Sequence, residues 1–251
     1  MQVNMITMDL STILKGTITI DSYELDRDNY ILMEPHAVYG LRDFVIKNHT
    51  RYGTIYTYDS EVLKCPNAKK YLFGDTRILK SDYENIDISK KKFQVSSLTG
   101  FKTQTIGHRL RQDVYNSQHL FPSNYVFFVS NDNWLNDKRN NPSLGVKNEA
   151  KIDLFREYQF AIVIENSQQE NYFTEKLIDC LITKTIPIYW GCPNISEYFN
   201  TNGWIFPDSV ESFYKNPLTE DYYSKYTDVI EENYQKAISY SNVLRNIQNA
   251  I

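Results

Sequence analysis

The chain has 251 residues, a net charge of −4, and 41% hydrophobic and 23% charged residues. That length admits one large domain or two small ones, and the balance excludes wholesale disorder. The acidic balance argues against non-specific nucleic-acid binding, and no apolar run approaches the ~20 residues that span a bilayer.

The opening stretch MQVNMITMDLSTILKG lacks a charged segment followed by a continuous apolar one, so no secretory signal is expected. Thr17 to Ile20 and Tyr30 to Met33 are short β-prone runs. The second stops at Glu34-Pro35-His36, where proline ends the strand and disfavours helix at Glu34. Val38 to Lys47 predicts a helix with Val38, Leu41, Phe44 and Val45 inward. Strands over Thr54 to Tyr58 and Lys70 to Phe73 complete an α/β unit over residues 1–88.

Asn85 to Lys92 is polar and basic and reads as a linker into a second unit, residues 89–251. Phe93 to Ser97 predicts a strand, Thr105 to Tyr115 a helix carrying Arg109 and Arg111, and Tyr125 to Ser130 a strongly apolar strand. Asn131 to Lys147 is an asparagine-rich loop of the length that often carries function. Asn148 to Tyr158 is expected to be helical, Trp204 to Phe206 a short strand, and Asp221 to Arg245 a long, breakable helix.

Between them lies FAIVIENSQQENYFTEKLIDCLITKTIPIYWGCP, residues 160–193. Phe160 to Ile164 is short and β-branched, as a buried parallel strand is. Thr174 can cap a helix whose Leu177, Ile178, Leu181 and Ile182 share one face, and Ile186 to Trp190 is a second buried run. Strand, helix and strand within about thirty residues form a βαβ unit with a right-handed crossover. Its polar residues, Glu165, Asn166 and the loop to Tyr172, fall beyond the carboxyl end of the first strand, where open α/β sheets bind ligands. Lys176 in the first turn opposes the helix dipole. It is either a solvated lysine or one that shares an anion such as phosphate with the free backbone donors.

Metal ligation is not expected. His36, His49, His108 and His119 lack ligand spacing, and Asp26-Arg27-Asp28, although of DxD form, precedes an apolar strand and suits a turn. Cys65, Cys180 and Cys192 are odd in number and without CxxC spacing, which fits a reduced, cytoplasmic setting.

The motif ENS, a polar spacer, YFTEK, an apolar helix and TIPIYWGCPNI resembles the α1,3/α1,4-fucosyltransferases, glycosyltransferase family 10, densely over residues 158–199. The lack of an anchor resembles the family's microbial type, cytoplasmic and at most peripheral to a membrane. The resemblance implies a GT-B fold, with two Rossmann-like α/β domains facing a cleft. The acceptor would lie on residues 1–88, and the nucleotide-sugar and a C-terminal helix on residues 89–251. It implies an inverting, metal-independent transferase without a cofactor, moving L-fucose from GDP-β-L-fucose to a glycan hydroxyl, α1,3 to a GlcNAc- or Glc-type sugar. Glu34 would be the catalytic base, by likeness to a family glutamate followed by Pro and His. Structurally it could equally be a strand-end glutamate. Arg109 would meet the diphosphate, in preference to Arg111, or be a surface arginine. Asn166, Tyr172, Glu175 and Lys176 would line the donor site: Lys176 on phosphate, Glu175 on ribose and Asn166 near the diphosphate-sugar. Two alternatives stand beside this: a GT-B transferase with another nucleotide-sugar, and an inactive relative that binds without turnover.

Overall fold

The computed structural model describes residues 10–130, 143–144 and 151–251, with residues 36–39 and 143–144 described by their backbone alone. The expectations over residues 1–9 and 148–150, and over Asn131 to Lys147 apart from Ser143–Leu144, fall outside the described residues.

Two parallel sheets organise the chain. The first has the order β1-β2-β3-β4, from β1 (Ile18–Ile20), β2 (Arg27–Ile31), β3 (Tyr52–Thr57) and β4 (Ala68–Lys70). Helix α1 (Pro35–Lys47) connects β2 to β3. It starts three residues before the predicted Val38 because Pro35 occupies the first turn, where its missing N–H forfeits no hydrogen bond. The strand expected over Lys70 to Phe73 is displaced to Ala68–Lys70, because β3 supplies partners only from Ile55 to Thr57. Tyr71 leaves the sheet and buries its ring, donating its hydroxyl to Leu32 O at 2.7 Å.

A four-residue helix, α2 (Lys80–Tyr83), leads to the second sheet, of order β7-β6-β5-β8-β9. Its strands are β5 (Lys92–Thr99), β6 (Tyr125–Ser130), β7 (Ser143–Leu144), β8 (Tyr158–Ile164) and β9 (Ile186–Trp190), all parallel. Helix α3 (Ile106–Asn116) joins β5 to β6, and α4 (Glu175–Ile182) joins β8 to β9. Leu177, Ile178, Leu181 and Ile182 of α4 are buried in the core of the second sheet and its helices. At ~1.5–3 kcal/mol for each such side chain, this face contributes roughly 6–12 kcal/mol before ordering costs.

The helix expected from Asn148 to Tyr158 does not reach Tyr158: Lys151 is helical, but the helix goes no further. Ile152–Leu154 makes a single 3-10 turn and the chain enters β8 at Tyr158, which pairs with Lys92. The Lys91 ammonium fixes this entry by donating to Phe155 O at 2.7 Å and Tyr158 O at 2.9 Å. Trp204 to Phe206 contributes one bridge, Ile205 to Ile188, instead of a strand. The long final helix is divided into α5 (Thr227–Tyr240) and α6 (Val243–Gln248), with the Asn242 side chain capping the second. Val243 and Ile247 return α6 to the first sheet, against Leu10, Leu14, Ile31, Met33, Tyr56 and Tyr71. Among the described residues no helix is long and apolar enough to cross a membrane.

Candidate active site at the strand ends

In the second sheet β5 and β8 are neighbours, but their crossovers leave in opposite directions, one to β6 and one to β9. Right-handed crossovers therefore place α3 and α4 on opposite faces, and a crevice opens beyond the carboxyl ends of β5 and β8. Asn166, two residues past the end of β8, occupies that crevice.

Two local features build its walls. Thr105 caps α3 by accepting from His108 N, and the His108 ring returns a bond to the Thr105 backbone. The first turn of α3 then lies directly on the strand end, with Gly107 N donating to Asn166 O at 3.2 Å. A Cβ at Gly107 would stand 1.8 Å from Glu165 O, so only glycine permits this approach. On the other face, Glu165 is fully buried and holds the start of α4 with both carboxylate oxygens. It accepts from Thr174 N at 2.9 Å and from Thr174 Oγ1 at 2.7 Å. Burial raises the Glu165 pKa, and the Lys176 charge works against that rise.

Asn166 connects the two sheets. Its Oδ1 accepts from Arg111 Nη2 at 2.8 Å, and its Nδ2 donates to Glu34 Oε2 at 3.3 Å. Glu34 itself stands at the N-cap position of α1, just past the end of β2. Arg111 also donates to Ile164 O. Burial works against its charge, while the carboxylates of Glu165, Glu175 and Glu34 favour it.

Lys176 and Glu175 are half-buried at the start of α4. The Lys176 ammonium lies 3.2 Å from Thr174 Oγ1, 3.3 Å from Glu175 Oε1 and 3.9 Å from Glu165 Oε2. Burial would raise the Glu175 pKa, but the charges of Lys176, Lys151 and Arg77 outweigh it and hold the carboxyl far below its usual range. Tyr172 is fully buried and reaches across into the core of the first sheet, its ring 5.0 Å from that of Tyr58. Neither hydroxyl has a hydrogen-bond partner among the described residues.

Arg109 takes another direction. It is exposed and donates to Thr103 O at 3.2 Å and Gln104 O at 3.4 Å, beside a cleft of about 320 Å³ floored by Leu110, Trp190 and Phe213. Positions 109 and 111 of one helix point some 200° apart, and the docking of Gly107 turns Arg111 towards Asn166. The structure thus brings Glu34, Asn166, Glu175 and Lys176 to the strand ends, adds Arg111, and gives Glu165 the task of holding the start of α4. Both were visible in sequence, Glu165 as the first residue of ENS and Arg111 as the second arginine of the helix. Asp26 and Asp28 serve the turn before β2: Asp26 pairs with Arg51, and Asp28 accepts from Thr17 N at 2.7 Å. Among the described residues no group of three or more His, Cys, Asp and Glu could hold a metal ion.

Residues 123–240, which contain β6, β8, α4 and β9, match the family model described as glycosyltransferase family 10 (fucosyltransferase) C-term. The chain resembles the family 10 fucosyltransferases. An alpha-(1,3)-fucosyltransferase of Helicobacter pylori is 37% identical over 75 residues, which is 30% of this chain and 15% of that relative's length. Two solved structures share the architecture. One is Anabaena Alr3699/HepE in complex with UDP, with a TM-score of 0.53 at 10% identity, covering 88% of this chain and 70% of that one. The other is the α,α-trehalose 6-phosphate synthase of Burkholderia multivorans, with a TM-score of 0.53 at 8% identity, covering 88% and 64%. At these identities the likeness speaks for the fold, a GT-B arrangement of two α/β sheets.

Proposed function

We propose that this chain transfers L-fucose from GDP-β-L-fucose to a glycan hydroxyl, α1,3 on a GlcNAc- or Glc-type sugar, with inversion at the anomeric carbon. One observation carries the reading: the Arg111–Asn166–Glu34 chain joins a phosphate-binding type of cation to a carboxylate across the two sheets, and Asn166 at its centre lies in the segment matching the fucosyltransferase family. Guanidinium suits phosphate oxygens geometrically, and Lys176 adds a second cation where the α4 backbone donors converge. These groups would take up the charge that builds on the departing diphosphate. The acceptor hydroxyl oxygen forms its bond to the anomeric carbon as the carbon–oxygen bond to GDP breaks. The electron pair leaves with GDP and the hydroxyl proton passes to Glu34. The transition state would be oxocarbenium-like. Glu175, held ionised, is suited to accept from ribose hydroxyls.

The test is incubation with GDP-fucose, and separately with other nucleotide-sugars, in the presence of lactosamine-type acceptors, followed by mass spectrometry. A product heavier by one deoxyhexose with GDP-fucose alone is expected. Transfer of a different sugar would reassign the donor, and GDP binding without any product would make the chain a binding module. Glu34→Gln should lower kcat by ~10²–10⁴ while GDP affinity is kept. Turnover near the wild-type rate would return Glu34 to the role of a strand-end residue. Transfer should also survive EDTA, since Asp26 and Asp28 are engaged by Arg51 and Thr17. Loss on chelation with recovery on adding manganese would contradict this.

A further inference from the structure

Asp21 lies in the turn between β1 and β2, and three features mark it. Its backbone adopts a left-handed φ of 43°, uncommon for a residue with a side chain. Its carboxylate is turned inward instead of to solvent, and its two oxygens each accept a backbone N–H. Oδ1 accepts from Met33 at 2.9 Å and Oδ2 from Glu34 at 3.1 Å. Those are the two residues that carry the chain out of β2 into α1. Glu34 has no side-chain cap of its own there, and the Asp21 carboxylate, by holding the backbone just ahead of the first helical turn, sets where the Glu34 side chain starts.

We propose that Asp21 is the positioning residue of Glu34, clamping the strand end that carries it and setting its own carboxyl group beside the Glu34 side chain. The proposal rests on the reading of Glu34 as the base. The titratable groups facing Asp21 are Glu34 from the start of α1, Tyr30 from β2, Tyr58 after β3 and Tyr71 after β4. All of them are neutral or negative at neutral pH, so each ionisation adds like charge to a low-dielectric corner. Burial pushes the Asp21 carboxyl up to about 7, with the Glu34 charge adding to the rise and the two N–H bonds opposing it. As the pH rises through about 7, Asp21 ionises and places its charge beside the Glu34 side chain. A clamp alone would not produce that dependence.

The experiment pairs a carboxyl titration with a rate profile. Carbon-13 NMR of the carboxyl groups in the intact chain should show Asp21 titrating near pH 7, and Glu34→Gln should move that titration to lower pH, because the neighbouring charge is gone. In transfer assays, kcat should show an inflection near the same pH. Asp21→Asn should abolish the inflection and lower kcat by about 10- to 100-fold, with GDP affinity unchanged. Asp21→Glu should restore the inflection at reduced kcat. An Asp21 that titrates in the ordinary carboxylate range and ignores Glu34→Gln would overturn the proposal, and that measurement needs neither activity nor a folded Asp21 variant. A uniform scaling of kcat by Asp21→Asn at every pH would overturn it as well. If Glu34→Gln leaves turnover intact, the reading of the base has failed. If Glu34→Gln abolishes turnover but Asp21→Asn does not alter it, only the inference about Asp21 has.

Discussion

Gly107 shows how much one absent atom fixes. Its Cβ would fall 1.8 Å from Glu165 O and 2.9 Å from the Asn166 carbonyl carbon, both backbone atoms that no rotamer change can move aside. Gly107→Ala must push α3 off the strand end that carries Asn166. A loss of ~1–3 kcal/mol, the usual cost of overpacking, is expected in urea unfolding, together with weaker GDP binding as Arg111 is drawn away from Asn166. A variant of wild-type stability and affinity would show that the helix has room to yield. The same contact explains why the choice of Arg109 over Arg111 was not legible in the sequence. Hydrophobic spacing fixes which face of a helix is inward, but the rotation that aims one arginine at Asn166 is set by a backbone contact 58 positions away in the chain, between Gly107 and Glu165. The strand end before Pro35 was legible, because proline after an apolar run stops the strand and starts the helix there.

The element that ties the molecule together is the loop between β8 and α4. Asn171 sits in it with a left-handed φ of 61°. Its Nδ2 donates to Tyr58 O at 3.2 Å, and its Oδ1 accepts from Lys70 Nζ at 2.9 Å and Asn194 Nδ2 at 3.1 Å. Gln169 Nε2 donates to the buried Asp59 Oδ2 at 2.6 Å, and the Tyr172 ring fills the core of the first sheet. Asn171→Ala would remove these bonds, leave the Tyr58 carbonyl without a donor, and place Ala in a left-handed conformation that costs ~1–2 kcal/mol by itself. A total loss of about 2–4 kcal/mol is expected, seen as a lower urea midpoint. No change in midpoint would mean that the loop is not a structural tie. The βαβ frame around this loop was legible from period and capping alone: β9 falls on Ile186–Trp190 and α4 begins directly after Thr174, as expected. The loop's partners were not, since Tyr58, Asp59 and Lys70 lie about a hundred residues earlier and their polar groups carry no periodic signal. The helix expected before β8 stops short of Tyr158 for a related reason, because the pairing of Tyr158 with Lys92 and the Lys91 ammonium override local propensity.

At the scale of the whole molecule, the two sheets meet where their strands end. The first sheet presents Glu34 and Asp21, the second presents Asn166, Arg111, Glu175 and Lys176, and α6 returns from the second to cover the first. Donor and acceptor would then be held on separate sheets, with the reacting bond at the seam. The central claim is that a nucleoside diphosphate binds at the crevice beyond β5 and β8, its phosphates shared by Arg111, Lys176 and the start of α4. Calorimetric titration of GDP into wild type and Lys176→Ala tests it most directly. One charge-assisted contact is worth ~1.5–3 kcal/mol, so the affinity should fall by about 10- to 150-fold while the unfolding midpoint without ligand stays near that of wild type. Unchanged GDP affinity in Lys176→Ala would contradict the account.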